Sequence, residues 1–292
     1  MTQFEGIWVP MVTPFRNGAL DLVAAARLAK YLWAGGIAGL VICGTTGEPA
    51  TMTWQEQQQL LGAVAEAVPD CPLLFGLSGN DTRAVAACAA TLSHAPVAGL
   101  LVTAPYYTRP SQAGIQLHFE AVAAATPLPI VLYNIPYRTG VQIDLTTCRA
   151  LAANDQFVAI KESGGGNLEQ LRGLIETTPL KVLGGEDGLI FLSLCMGGHG
   201  AIAAAAHIRP DLYVAMHRRM AGGDLAGARA IDRMLQPLIN LLFAEPNPAP
   251  VKYALATLGL LEDELRLPML PISLALRERI QPVLEQMMAI CI

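Results

Sequence analysis

Lys161 closes an apolar run, Phe157-Val158-Ala159-Ile160-Lys161, and Glu162, Ser163 and three glycines follow at once. A buried strand that ends in lysine has a physical problem, because a dehydrated ammonium is costly. A carboxylate partner or loss of the proton relieves it. The neutral amine is a nucleophile that forms imines with carbonyl compounds. Other reactive side chains also stand just after short apolar runs. They are Thr45 and Thr46 in Gly44-Thr45-Thr46-Gly47-Glu48, Tyr106 and Tyr107 after Pro105, Tyr133 with Arg138 five residues on, and the Gly184-Gly185-Glu186 and Gly197-Gly198-His199-Gly200 stretches. An amine, phenols, hydroxyls and an arginine form a set suited to carbonyl chemistry: a nucleophile, proton carriers and a carboxylate-binding cation.

Each of these residues also has a plainer use. Most strand-end lysines snorkel to solvent. Tyr133 could bond to backbone, Thr45 and Thr46 could form a turn and a cap, and Arg138 could be a surface ion-pair partner. Glu48 and Glu162 suit structural acceptors. Tyr106 suits packing or a subunit contact. Gly164-Gly165-Gly166 reads as a loop, since GxGxxG is absent. The five histidines show no ligand spacing such as HExxH, so no metal is expected.

Something must hold these residues on one face. Apolar runs at 6–10, 39–43, 73–76, 99–103, 130–134, 157–161, 180–184 and 201–203 predict strands. Helical patterns at 21–34, 53–67, 81–93, 112–125, 144–153, 168–176 and 187–196 lie between them, with Asp81, Ser111 and Asp144 as N-caps. Several runs lack polar alternation, as strands buried on both faces should. Eight βα repeats predict an α/β fold, a (β/α)8 barrel over residues 1–223, with catalytic residues at the C-terminal strand ends. A doubly wound sheet is the alternative, since periodicity does not decide whether a parallel sheet closes. Residues 224–292 predict a C-terminal helical extension, with helices at 225–243, 248–258 and 272–288.

Composition narrows the function classes. The chain has 292 residues, 53% hydrophobic and 15% charged, enough for a sizeable core. A net charge of −5 without a basic run argues against nucleic acid and anionic membrane surfaces. Mean hydropathy is +0.41, yet Ser93, His94 and Pro96 break the most apolar stretch, so no span is expected. Cys43, Cys71, Cys88, Cys148, Cys195 and Cys291 form no CxxC pair, which suits a reduced, cytoplasmic protein. Met1-Thr2-Gln3-Phe4-Glu5 shows no signal peptide.

The order Gly-Thr-Thr-Gly-Glu (44–48), Pro-Tyr-Tyr (105–107), Tyr-Asn-Ile-Pro-Tyr-Arg-Thr-Gly (133–140), then Ile-Lys-Glu-Ser (160–163) is distinctive. It resembles the dihydrodipicolinate synthase and N-acetylneuraminate lyase family of pyruvate-dependent class I aldolases. The resemblance runs from Trp8-Val9-Pro10 to Glu245-Pro246-Asn247-Pro248-Ala249-Pro250-Val251-Lys252 and Leu265-Arg266-Leu267-Pro268-Met269, essentially the whole chain. It implies that Lys161 forms an imine with pyruvate. Tyr133 would be the general acid/base, with Thr45 and Tyr107 as relay partners, Tyr107 reaching into a neighbouring subunit. Thr46, Gly185 and Ile202 would contact substrate, and Arg138 would clamp the carboxylate of aspartate semialdehyde. The product would be 4-hydroxy-tetrahydrodipicolinate, on the way to diaminopimelate and lysine. A homotetramer, a dimer of dimers, is implied, with no cofactor. Other aldolases of the family, acting on sugar acids, sialic acid or 4-hydroxy-2-oxoglutarate, remain as alternatives. So do a non-catalytic ligand-binding homologue and a nucleotide-binding α/β protein. Tyr137, Pro49 and the 164–166 loop depart from the family pattern and bear on the aldehyde. The family's lysine-inhibition site would fall at Pro49, Ala50, Trp54, Gln57, Asn80, Ala84 and Tyr106. Ala84 replaces a glutamate there, so inhibition should be weak or absent.

Overall fold

A computed structural model describes residues 4–290. Residues 1–3 of the N-terminal stretch and Cys291 lie outside them. Eight strands make up the main sheet: β1 Gly6–Pro10, β2 Gly39–Ile42, β3 Leu73–Leu77, β4 Gly99–Thr103, β5 Ile130–Asn134, β6 Phe157–Glu162, β7 Lys181–Gly184 and β8 Gly200–Ile202; Phe15–Arg16 and Ala19–Leu20 form a separate two-stranded antiparallel pair. They form a closed barrel in the order β1-β8-β7-β6-β5-β4-β3-β2. This (β/α)8 barrel removes the doubly wound alternative. β3, β4 and β5 are buried at every position, as strands covered on both faces must be.

The chain clusters into two compact units. One comprises the chain through Gly6 together with Pro72–Ile202, and the other Ile7–Cys71 together with the chain from Ala203. In the first, β3 to β8 are parallel neighbours, and the β5/β6 register sets Tyr133 beside Lys161 and Asn134 beside Glu162. Two expected caps form. Asp81 accepts from the Arg83 N–H at 3.0 Å, and Ser111 accepts from Gly114 at 3.3 Å. Asp144 takes the third expected N-cap position, but its side chain makes no capping bond. Gln112 Oε1 holds that end of the helix instead, accepting from the Asp144 N–H at 3.0 Å and the Thr147 hydroxyl at 2.7 Å. The expected 187–196 helix is a 3-10 turn, Asp187–Leu189, followed by Ile190–Cys195. A short helix not read from sequence, Pro136–Thr139, ends at Gly140 with φ 76°. It opens on proline, whose fixed φ suits a first helical turn.

The second unit carries β1, β2 and the appended helices Leu225–Leu242, Ala249–Thr257 and Leu274–Met288. Helix Trp54–Ala67 opens on a Thr53/Glu56 capping box. A helix at Pro210–Ala221 also escaped the sequence reading; Leu212, Tyr213 and Val214 are buried in succession, which hides the helical period. His207 is fully buried between two backbone groups. Its Nε2 accepts from the Val12 N–H at 3.1 Å, and its Nδ1 faces Ala204 O at 2.7 Å. The proton therefore sits on Nδ1, the nitrogen that faces an acceptor. Burial pushes this imidazole's pKa down to about 4, because the charged form loses its hydration.

Candidate active site

Strand β6 delivers Lys161 to its C-terminal end, where the side chain is only 6% exposed. The cross-strand register explains what it meets. Lys161 Nζ donates to Tyr133 Oη at 3.1 Å and stands 4.2 Å from that ring's centroid. The phenol is therefore within proton-transfer reach of the amine. Gly185, just after β7, lies against the lysine stem. A Cβ there would come 2.8 Å from Lys161 Cε and overlap Ser163 Oγ. Only glycine, with no Cβ, leaves the lysine its place. Ile202 ends β8 and is buried.

Side chains alternate along β6, so Glu162 faces away from Lys161. Asn134 Nδ2 donates to its two oxygens at 2.9 and 3.0 Å, while Asn134 Oδ1 accepts from the Ile143 N–H at 3.0 Å. Burial pushes the Glu162 carboxyl up to about 7, with Glu186 adding repulsion and Asn134 and the Gly164 N–H opposing. The sequence reading of Glu162 as a structural acceptor fits this geometry. Asn134 sits inside the quoted motif, but only the strand register shows its task.

Tyr107 and Arg138 do not join the buried pair. Tyr107 is 87% exposed, with φ 71° and its N–H bonded to Thr139 O at 3.2 Å. Arg138 is exposed, its guanidinium 5.4 Å from the Tyr137 ring centroid. Tyr107 stands on the loop that follows β4, and Arg138 on the short Pro136–Thr139 helix that follows β5.

The other unit holds the Thr45–Gly47 turn after β2. Thr46 is buried and accepts from Asn247 Nδ2 at 2.9 Å. The Thr13 hydroxyl donates to Gly47 O at 2.6 Å. Glu48 adopts φ 54°, a left-handed geometry uncommon outside glycine. Its carboxylate pairs with Lys252 Nζ at 2.5 Å. Lys252 is 0% exposed, donates to Glu264 O at 2.8 Å and lies 4.3 Å from the Phe15 ring centroid. Removing one partner of such a buried pair costs about 3–5 kcal/mol. Asn247 and Lys252 received no role from sequence. For Lys252 the signal was the one that exposed Lys161, a lysine inside an apolar run. Among the described residues, no group of three or more His, Cys, Asp or Glu side chains is placed to hold a metal ion, and no helix is long and apolar enough to cross a membrane.

A parallel (β/α)8 barrel with a buried lysine bonded to a tyrosine at adjacent strand ends defines a lyase of the class I aldolase type. The chain matches the dihydrodipicolinate synthetase family over residues 3–287 and belongs to it. It is 41% identical over 288 residues to the 4-hydroxy-tetrahydrodipicolinate synthase of Moorella thermoacetica, covering 97% of this chain and 98% of the relative. The crystal structure of dihydrodipicolinate synthase from Thermotoga maritima superposes with a TM-score of 0.95 at 35% identity, covering 97% of this chain and 98% of that one. The lysine-bound enzyme of Cyanidioschyzon merolae gives 0.95 at 32% identity, covering 98% and 99%.

Proposed function

We propose that this protein condenses pyruvate with L-aspartate 4-semialdehyde to give 4-hydroxy-tetrahydrodipicolinate, through an imine on Lys161. The observation that carries the reading is the buried Lys161–Tyr133 hydrogen bond. The amine attacks the ketone carbon of pyruvate, and water leaves as the imine forms. The imine then gives up a methyl proton and becomes an enamine, which attacks the aldehyde carbon. Tyr133 shuttles the protons at Lys161, with Thr45 and Tyr107 completing the relay. Thr46 holds the pyruvate carboxylate, with Gly185 and Ile202 as further contacts. Arg138 binds the carboxylate of the second substrate, which suits a planar guanidinium. Cyclisation by the substrate's own amine then displaces Lys161.

The exposure of Tyr107 supports an oligomer in which this phenol enters a neighbouring subunit's site. A cytoplasmic homotetramer, built as a dimer of dimers, is the assembly this reading implies. Pyruvate plus borohydride should add a stable mass at Lys161, and Lys161→Ala should abolish it. Adduct at another lysine, or none, overturns the imine mechanism.

A further inference from the structure

The proposed function gives Thr46 a carboxylate to bind but does not say why its hydroxyl should donate to an anion. A threonine hydroxyl has one proton and two acceptor lone pairs, and the proton rotates to suit its neighbours. Asn247 settles the direction. Its Nδ2 donates to Thr46 Oγ1 at 2.9 Å. Asn247 Oδ1 is buried and has no hydrogen-bond partner among the described residues. The reverse amide orientation would put two N–H donors where that unpaired acceptor now stands. Buried donors are left unpaired more rarely than acceptors, so the orientation with Nδ2 on Thr46 is the better one.

The same segment anchors the turn a second time. Lys252, five residues beyond Asn247, grips Glu48, two residues beyond Thr46. Nothing in the turn's own sequence supplies these contacts. The appended helical segment therefore acts on the turn at two points, one setting a proton and one setting the backbone.

We propose that Asn247 is a positioning residue for the carboxylate site: by donating to Thr46 Oγ1 it commits the threonine's own proton to the carboxylate of the 2-oxo acid. This rests on the pyruvate reading above. It adds that the affinity for the carboxylate is set by a residue that never touches it.

The test is steady-state kinetics on the full chain with a double-mutant cycle. Asn247→Asp keeps the shape but makes the side chain an acceptor, so Thr46 would turn its proton inward and a negative charge would face the anion. Its KM for pyruvate should rise by about 10-fold or more, the range expected for a lost bond to a charged group. Both kcat at saturating pyruvate and the KM for the aldehyde should change less than about 3-fold, because an interaction made equally in ground and transition states leaves kcat alone. Asn247→Ala should raise the pyruvate KM less than Asn247→Asp. In a Thr46→Val background, Asn247→Ala should have almost no further effect. The proposal is overturned if Asn247→Ala acts equally with and without the Thr46 hydroxyl. It is also overturned if the variants lose thermal stability while their pyruvate KM stays at the wild-type value. Borohydride trapping of the wild-type chain separates the two levels: no adduct at Lys161 defeats the pyruvate reading, whereas a normal adduct with an unchanged variant KM defeats only the assignment of Asn247.

Discussion

Glu162 offers a test of the site's electrostatics that does not depend on turnover. Its carboxyl is raised from 4.5 to about 7, mainly by burial. The unfolded chain releases this proton near 4.5, while the folded chain keeps it to about 7. Between those values the folded state holds more protons, so the carboxyl costs stability as pH rises, and the cost is complete above about 7. A gap of about 2.5 in pKa is worth about 3 kcal/mol. Glutamine imitates the protonated acid: its carbonyl can accept from Asn134 Nδ2, which now serves the carboxyl at 2.9 Å. Glu162→Gln should therefore match the wild type near pH 4.5 and exceed it by about 3 kcal/mol at pH 8, several degrees in melting temperature. The comparison must be a difference curve, because His207 contributes the opposite slope. Its pKa is held at about 4 instead of 6.5, so it costs stability as pH falls through that range. The two slopes largely offset in the wild type between 4.5 and 6.5. Urea midpoints for both proteins across about pH 4.5–8 are the assay. A difference independent of pH, or a variant less stable at pH 8, would refute the burial argument.

Tyr133→Phe should slow turnover by roughly 10²-fold, the usual worth of a positioned proton carrier, with the Lys161 adduct forming more slowly in rapid-quench trapping. Arg138→Ala should raise the KM for aspartate semialdehyde and leave pyruvate trapping largely intact; unchanged kinetics with that aldehyde would remove it as the substrate. Lysine should inhibit weakly or not at all, since Ala84 offers no carboxylate and Gln57 Nε2 already donates to Pro49 O at 3.1 Å. A lost partner for a desolvated charge costs about 2–5 kcal/mol, at least about 30-fold in affinity, so half-inhibition at submillimolar lysine would contradict this.

Strand positions were legible because each run is apolar throughout, and β1, β4 and β5 fall at the residues expected. Barrel closure was not legible, because a strand buried on both faces reads the same in an open sheet. Pro210–Ala221 was missed because its buried residues are adjacent in sequence, and the capping of the helix after Asp144 by Gln112 was not legible because a local pattern does not show a side chain arriving from 32 residues away. Lys161 and Tyr133 were picked out as candidates by type and position. Their union at 3.1 Å depends on strand register, which no single segment encodes.

Two lysines in this chain gave the same sequence signal, and the structure separates them by their partners. Lys252 meets a carboxylate, a carbonyl and a ring face. An ammonium satisfied on all sides has no lone pair to offer, and its task is to fix Glu48 and the turn before it. Lys161 meets a phenol and the face of the same ring. A phenol can both donate and accept a proton. A proton can pass between that amine and that phenol, and the stem packs against a glycine that leaves it room. Burial alone therefore marks neither lysine as a nucleophile. On the proposed imine reading, what distinguishes the reactive buried amine from the structural one is a partner that can take its proton without binding it as a fixed ion pair.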